Sequence, residues 1–138
     1  MKFRIGVIGL RRGMSFVDVF RLMPDAAVTA VCDADESRLA WFDEQRGGAT
    51  LLTRYEALLN ADVDIIVVAS PAPLHAQHSI AALEAGKHVI SEVPAVWSLE
   101  EAEQLLNAAR RSKAKYFFAE NCCYWHFVEV WRDWVAAG

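Results

Sequence analysis

The chain has 138 residues, 54% of them apolar, and carries 14 Lys+Arg against 18 Asp+Glu for a formal net charge of -4. That length and apolar share suit one domain around one core, and the slight acidic balance provides no basic face for a phosphate backbone, so nucleic acid is not an expected partner. No apolar run reaches the ~20 residues a membrane helix needs, so no membrane partner is expected. The opening run Phe3 to Leu10 is followed rather than preceded by Arg11 and Arg12, and three cysteines without an export signal read as reduced thiols in a cytoplasmic protein.

Short apolar runs alternate with helical patterns along the whole chain. Phe3 to Gly9 reads as a strand, Gly13 to Met23 as a helix stopped by Pro24, and Ala27 to Asp33 as a second strand. Glu36 to Arg46 places Leu39, Ala40 and Phe42 on one face and ends at Gly47 and Gly48, as helix C-termini commonly do. A short strand at Ala49 to Leu52 and a helix from Arg54 to Asn60 follow. Asp64 to Ser70 has the unbroken β-branched character of a strand buried on both faces. Its helix begins after Pro73 and runs to Ala85, with Gly86 as the stop. After a strand at His88 to Ser91, Ser98 and Glu101 form a capping box that opens a helix reaching Arg111. A strand at Tyr116 to Glu120 and a last helix complete the order. This repetition predicts a single α/β domain with a doubly wound, mostly parallel sheet.

In such a fold the turn after the first strand is the place to look for a dinucleotide. Gly9, Leu10, Arg11, Arg12, Gly13 and Met14 form that turn, and Asp33 follows at the end of the second strand, near the ~20-residue spacing at which an acidic side chain accepts ribose hydroxyls. The spelling departs from the three-glycine pattern, with arginine at the second glycine position and methionine at the third. The two guanidinium groups can offset the lost backbone approach through charge-assisted hydrogen bonds to a pyrophosphate. A glycine-bearing turn with no ligand is the alternative. A carboxylate at position 33 repels a 2′-phosphate, which favours NAD over NADP unless Arg11, Arg12 or Arg38 offsets it.

Three further stretches fall at the carboxyl ends of strands, where ligands bind in open α/β sheets. Ser70, Ala72, Pro73 and His75 belong to the loop after the most buried strand; His75 either bonds a ligand or satisfies local backbone, and His78 packs or meets water. Glu92 and Val93 lie in Gly-Lys-His-Val-Ile-Ser-Glu-Val-Pro, and Asn121 in Glu-Asn-Cys-Cys-Tyr, where its amide is placed to reach a nicotinamide. No residue reads as catalytic. A metal site at Cys122, Cys123 and His126 is not expected, since adjacent cysteines rarely present both sulfurs to one tetrahedral ion. Tyr124, Phe127, Val128, Trp131, Trp134 and Val135 recur at helical spacing, and core packing is expected for at least half of them, with the remainder offering a route to self-association.

The segment Gly86 to Pro94 resembles the Gly-Lys-His-Val-x-x-Glu-Lys-Pro signature of the glucose-fructose oxidoreductase, inositol dehydrogenase and MocA family, with Val93 in place of the lysine. Together with Asn-Cys-Cys-Tyr, the Glu-Val-Pro spelling is similar to one branch, the NAD-dependent α-N-acetylgalactosaminidases. The resemblance implies a Rossmann-like domain over residues 1–124, with Ala72 to His75, Glu92, Val93 and Asn121 contacting NAD. It implies too that residues 125–138 form a helix leading towards a substrate domain this chain lacks. The expected function is therefore the cofactor half of a sugar or polyol oxidoreductase, inactive alone. A redox-neutral NAD-dependent glycosidase and a noncatalytic Rossmann-like module are the alternatives.

Overall fold

A computed structural model describes residues 2–138. The first unit is β1 (Phe3–Ile8), α1 (Leu10–Leu22), β2 (Ala26–Cys32), α2 (Glu36–Gln45) and β3 (Thr50–Leu52). After α3 (Tyr55–Leu59) come β4 (Ile65–Val68), α4 (His75–Glu84), β5 (His88–Ser91), α5 (Leu99–Arg111), β6 (Tyr116–Phe118) and α6 (His126–Ala137). Single 3-10 turns at Ala72–Leu74 and Cys122–Tyr124 lead into α4 and α6. All strand pairs are parallel, in the order β3-β2-β1-β4-β5-β6. That is the doubly wound Rossmann arrangement, with its switch point between β1 and β4.

The sheet is buried on both faces because its central strands are apolar at successive positions. Ile5, Val7, Val31 and Val67 point to one side and pack with Leu10 and Val17 of α1 and Leu39 and Phe42 of α2. Ile8, Cys32, Ile66, Val68 and Val89 point to the other, meeting Leu58, Ala82, Leu83, Leu105 and Ala108 from α3, α4 and α5. Helix boundaries follow their caps. Asp35 accepts from Ser37 N–H at 3.0 Å to open α2, and Ser98 Oγ accepts from Glu101 N–H at 3.1 Å to open α5. The return arm of the expected capping box reaches one residue further back, with Glu101 accepting from Trp97 N–H at 2.6 Å.

Two expectations are corrected. Helix α1 begins at Leu10 rather than Gly13, because Gly9 turns the chain at once with φ +87° and Asp33 takes the Leu10 N–H at 2.8 Å. Core packing also fails for the aromatic stripe of α6: none of its residues is buried, and Trp131, Trp134 and Val135 are 54%, 68% and 82% exposed. Helical periodicity shows that a face is apolar and leaves open what the face meets.

Gly13 brings α1 against β1. A Cβ there would lie 2.6 Å from Cγ1 of the fully buried, β-branched Val7, whose rotamer has nowhere to go. Gly13→Ala gains about 1 kcal/mol of helix propensity against overpacking of about 1–3 kcal/mol. Net destabilisation is expected, read as a lower urea midpoint at unchanged m; a raised midpoint would show that α1 can lift off the sheet.

A candidate dinucleotide-binding edge

Parallel register sets the site. Leu52, Cys32, Ile8, Val68, Ser91 and Phe118 align as one row across all six strands. The residues that follow them, Thr53, Asp33, Gly9, Ala69, Glu92 and Ala119, therefore leave the sheet along a single carboxyl edge. Residues far apart in sequence meet there because each strand delivers the start of its loop to the same line.

At the switch point β1 and β4 approach so closely that a Cβ on Gly9 would lie 2.3 Å from the Ala69 carbonyl oxygen. Gly13, and not position 14, fills the close-packing role; Met14 is half-buried against the α1 and α2 core. The turn is thus less degenerate than its spelling, with only the second glycine replaced. Arg11 at that position is exposed and lines a cleft of about 560 Å³ with Gly9, Arg12, Asp33, Arg38 and Ser70. The first turn of α1 has no acidic residue, and its N-cap Gly9 offers no side-chain cap. Apart from Leu10 N–H, which Asp33 accepts, its amides suit an anion.

Asp33 is 8% exposed, and each carboxylate oxygen accepts one backbone N–H, from Leu10 at 2.8 Å and from Asp35 at 2.9 Å. Each oxygen keeps acceptor capacity for a hydroxyl. Arg38 stands beside it, Nη1 3.7 Å from Oδ2.

The loop after β4 is fixed by two histidines. His75 is buried, and both ring nitrogens face carbonyl oxygens: Nε2 lies 2.7 Å from Ser70 O and Nδ1 2.8 Å from Pro94 O. Its ring sits between a carbonyl of the β4 loop and one of the β5 loop. Ala72 and Pro73 sit in the short turn beside it, outside the walls of the cleft. His78 does line the cleft; its Nδ1 is 2.9 Å from Ser70 Oγ, and its ring packs on Tyr55 at 4.3 Å between centroids, tilted by 41°. The Tyr55 hydroxyl donates to the His78 carbonyl at 2.6 Å. Burial raises the phenol above its ordinary range and pushes the Cys32 thiol up to about 11, neighbouring Asp33 adding to the latter. Sequence reading missed Thr53 and Tyr55. The available signal was position, since both follow β3 at its carboxyl end.

A second cleft, of about 580 Å³, opens between α1 and the segment after β6. Phe16, Val19, Phe20 and Phe118 make it apolar, while Arg12, Glu92, Glu120 and Asn121 supply its polar groups. Arg12 lines both clefts. Its Nε–H pairs with Oε1 of Glu92, a carboxylate only 6% exposed, and Glu92 Oε2 accepts from Val93 N–H at 2.9 Å. The Val93 side chain is 38% exposed and can only make apolar contact. Cys122 donates its N–H to Glu120 at 2.9 Å, and Cys123 Sγ lies 3.0 Å from Glu120 O. Among the described residues no three His, Cys, Asp or Glu side chains gather so as to hold a metal.

An open parallel sheet, a glycine turn at its switch point and an acid at the end of β2 define a dinucleotide-binding domain. Residues 3–120 match the family model described as "Oxidoreductase family, NAD-binding Rossmann fold", and the chain belongs to that Gfo/Idh/MocA family. Among curated proteins it is similar to a glycosyl hydrolase family 109 protein of Solibacter usitatus, with 31% identity over 98% of this chain and 34% of the relative. A glycosyl hydrolase family 109 protein of Shewanella sp. (strain ANA-3) is 35% identical over 88% of this chain and 29% of its own length. The chain thus spans about a third of the length of the curated relatives it matches. Among solved structures, a probable dehydrogenase from Thermotoga maritima superposes with TM-score 0.88 at 27% identity, covering 98% of this chain and 41% of that one. Scyllo-inositol dehydrogenase from Lactobacillus casei, solved with NAD(H) and scyllo-inositol, shares the fold with TM-score 0.91 at 24% identity, over 100% of this chain and 42% of its own.

Burial, and after it the neighbouring His75, holds the His78 imidazole below its ordinary value. The unfolded chain therefore binds a proton that the folded one resists. The stability tied to neutral His78 is present above pH ~6.5 and is lost as pH falls through that value. Melting temperature should drop between pH 7.5 and 5.5, and His78→Gln should flatten that drop. An identical slope in the variant would remove His78 as its source.

Proposed function

We propose that this chain forms the NAD half of an enzyme that removes a hydride from a carbon of a sugar or polyol, and that it takes NAD in preference to NADP. The observation that carries the reading is the common edge on which Gly9, the open first turn of α1, Asp33 and Glu92 stand beside two adjoining clefts that share Arg12. When bound, NAD supplies the hydride acceptor. Gly9 turns the chain tightly against Ala69 so that α1 starts at the edge, the α1 amides and the Arg11 and Arg12 guanidiniums meet the pyrophosphate, and Asp33 accepts the adenosine ribose hydroxyls. The apolar cleft with Asn121 suits the flatter, less charged nicotinamide end. Val93 has neither a lone pair to accept a proton nor an acidic proton to give, so the base that takes the sugar hydroxyl proton is another residue. The exposed Phe127, Trp131 and Trp134 suit association with a partner surface, a second copy included.

A second reading has a specific observation behind it. Val93, together with Asn-Cys-Cys-Tyr, matches the glycosidase branch, and the curated relatives described above carry the glycosyl hydrolase name. In that chemistry the hydride taken from the sugar is returned after the glycosidic bond has broken, so no net NADH accumulates. Assay of the full-length protein separates the two: one NADH per sugar oxidised supports the dehydrogenase, while release of N-acetylgalactosamine from an aryl glycoside without net NADH establishes the glycosidase.

Cofactor choice is tested by titration calorimetry on the chain. NAD should bind at least about tenfold more tightly than NADP, a difference of ~1.4 kcal/mol. Asp33→Ala should weaken NAD more than NADP, because it removes the ribose acceptor and leaves Arg11 and Arg38 to meet a 2′-phosphate. Equal binding of the two by the unaltered chain would remove Asp33 from the role.

A further inference from the structure

The Arg12 and Glu92 pair joins residues 80 positions apart, at the one place where the two clefts share a side chain. Its two members are unequal. Arg12 is the third residue of α1, half-exposed and held otherwise only by a long contact to Ser15 Oγ at 3.5 Å, so the Glu92 contact is the main restraint on its head group. Glu92 is buried and stays where the β5 loop puts it, with Val93 N–H on its other oxygen. A dinucleotide running from the Asp33 side to the Asn121 side passes this pair.

We propose that Arg12 and Glu92 are exchange partners: dinucleotide binding draws the Arg12 guanidinium from Glu92 to the pyrophosphate, while a hydroxyl of the nicotinamide-side ribose or the carboxamide donates to the released Glu92 oxygen. The inference rests on the NAD reading above and goes beyond it by making two contacts one event. A guanidinium gains from a pyrophosphate because the charges are opposite and the geometry is forked. A buried carboxylate that loses its cation is strongly destabilised unless a new donor arrives. A ligand carrying only the adenosine and phosphate end thus takes Arg12 and leaves Glu92 unpaired. The intact dinucleotide satisfies both, and the pair thereby selects for a ligand with a donor beyond its second phosphate.

The test is calorimetric titration of the chain, its Glu92→Gln and Arg12→Lys variants and the double variant with ADP and with NAD. Glu92→Gln frees Arg12 and removes the charge left unpaired, so ADP affinity should rise about tenfold, while NAD gains less because it loses its charge-assisted bond to the Glu92 carboxylate, narrowing the NAD to ADP ratio. In the Arg12→Lys background, where the guanidinium is absent, Glu92→Gln should no longer favour ADP selectively. A nitrogen-15 spectrum supplies a readout that a structural role would not move: the Arg12 Nε–H resonance, identified by its loss in Arg12→Lys, should shift when ADP is added. An unchanged NAD to ADP ratio in Glu92→Gln, with NAD still bound by the unaltered chain, overturns the exchange and leaves the NAD reading standing. Failure of the unaltered chain to bind either ligand overturns both. An unmoved Nε–H resonance at saturating ADP overturns the exchange as well.

Discussion

The structure depends on how closely the end of β1 approaches the start of the loop after β4. At Gly9 the chain turns with positive φ against the Ala69 carbonyl, in a space where no side chain fits. That contact fixes the origin of α1, and Asp33 then holds the first amide of the helix from the neighbouring strand. The amino end of α1 is thereby aimed along the carboxyl edge of the sheet, and its second helical contact at Gly13 keeps it flat against β1. Helix direction, cleft position and the placement of both arginines follow from one absent side chain and one carboxylate.

The opposite edge of the sheet is built differently. Arg4 pairs with Asp62 and Asp64, its Nη2 2.6 Å from Asp64 Oδ1, and Lys87 donates to the carbonyls of Ala61 and Val63 at 3.1 and 2.9 Å. Hydrogen bonding from Arg4 holds the Asp64 carboxyl down at about 2. The stability this contributes is present above the ordinary aspartate value and lost as pH falls towards 2. Arg4 and its two aspartates match one another at the amino edge; at the carboxyl edge, Arg11, Arg12, Asp33 and Glu92 line clefts.

Much of this was legible in the residues. β-branched runs gave the strands, Gly47 and Gly86 the helix ends, and the Ser98 and Glu101 pair the start of α5, because each of those signals is local. The family resemblance rested on short motifs that also sit at strand ends, so it pointed to the carboxyl edge as well as to the fold. What was not legible was tertiary. Nothing in the spelling of Gly9 to Met14 shows that position 13 faces Val7, so the turn looked more eroded than it is. His75 and His78 lie three residues apart on one helix, and only the positions of Ser70 and Pro94 decide which is buried between carbonyls and which reaches the cleft. The Arg12 and Glu92 pair, 80 residues apart, has no sequence signal, and the stripe on α6 is apolar in sequence while meeting nothing that buries it.

The tilted Tyr55 and His78 ring pair is held before any ligand arrives. The tyrosine hydroxyl is tied to the backbone beneath the histidine, the histidine to Ser70, and the serine carbonyl to His75. Immobilising a mobile side chain on binding costs roughly 0.5–1.5 kcal/mol, and along this wall that loss was taken when the chain folded. A flat heterocycle that settled there would meet surfaces already at rest, and its residence would depend on contact and not on the wall learning its shape.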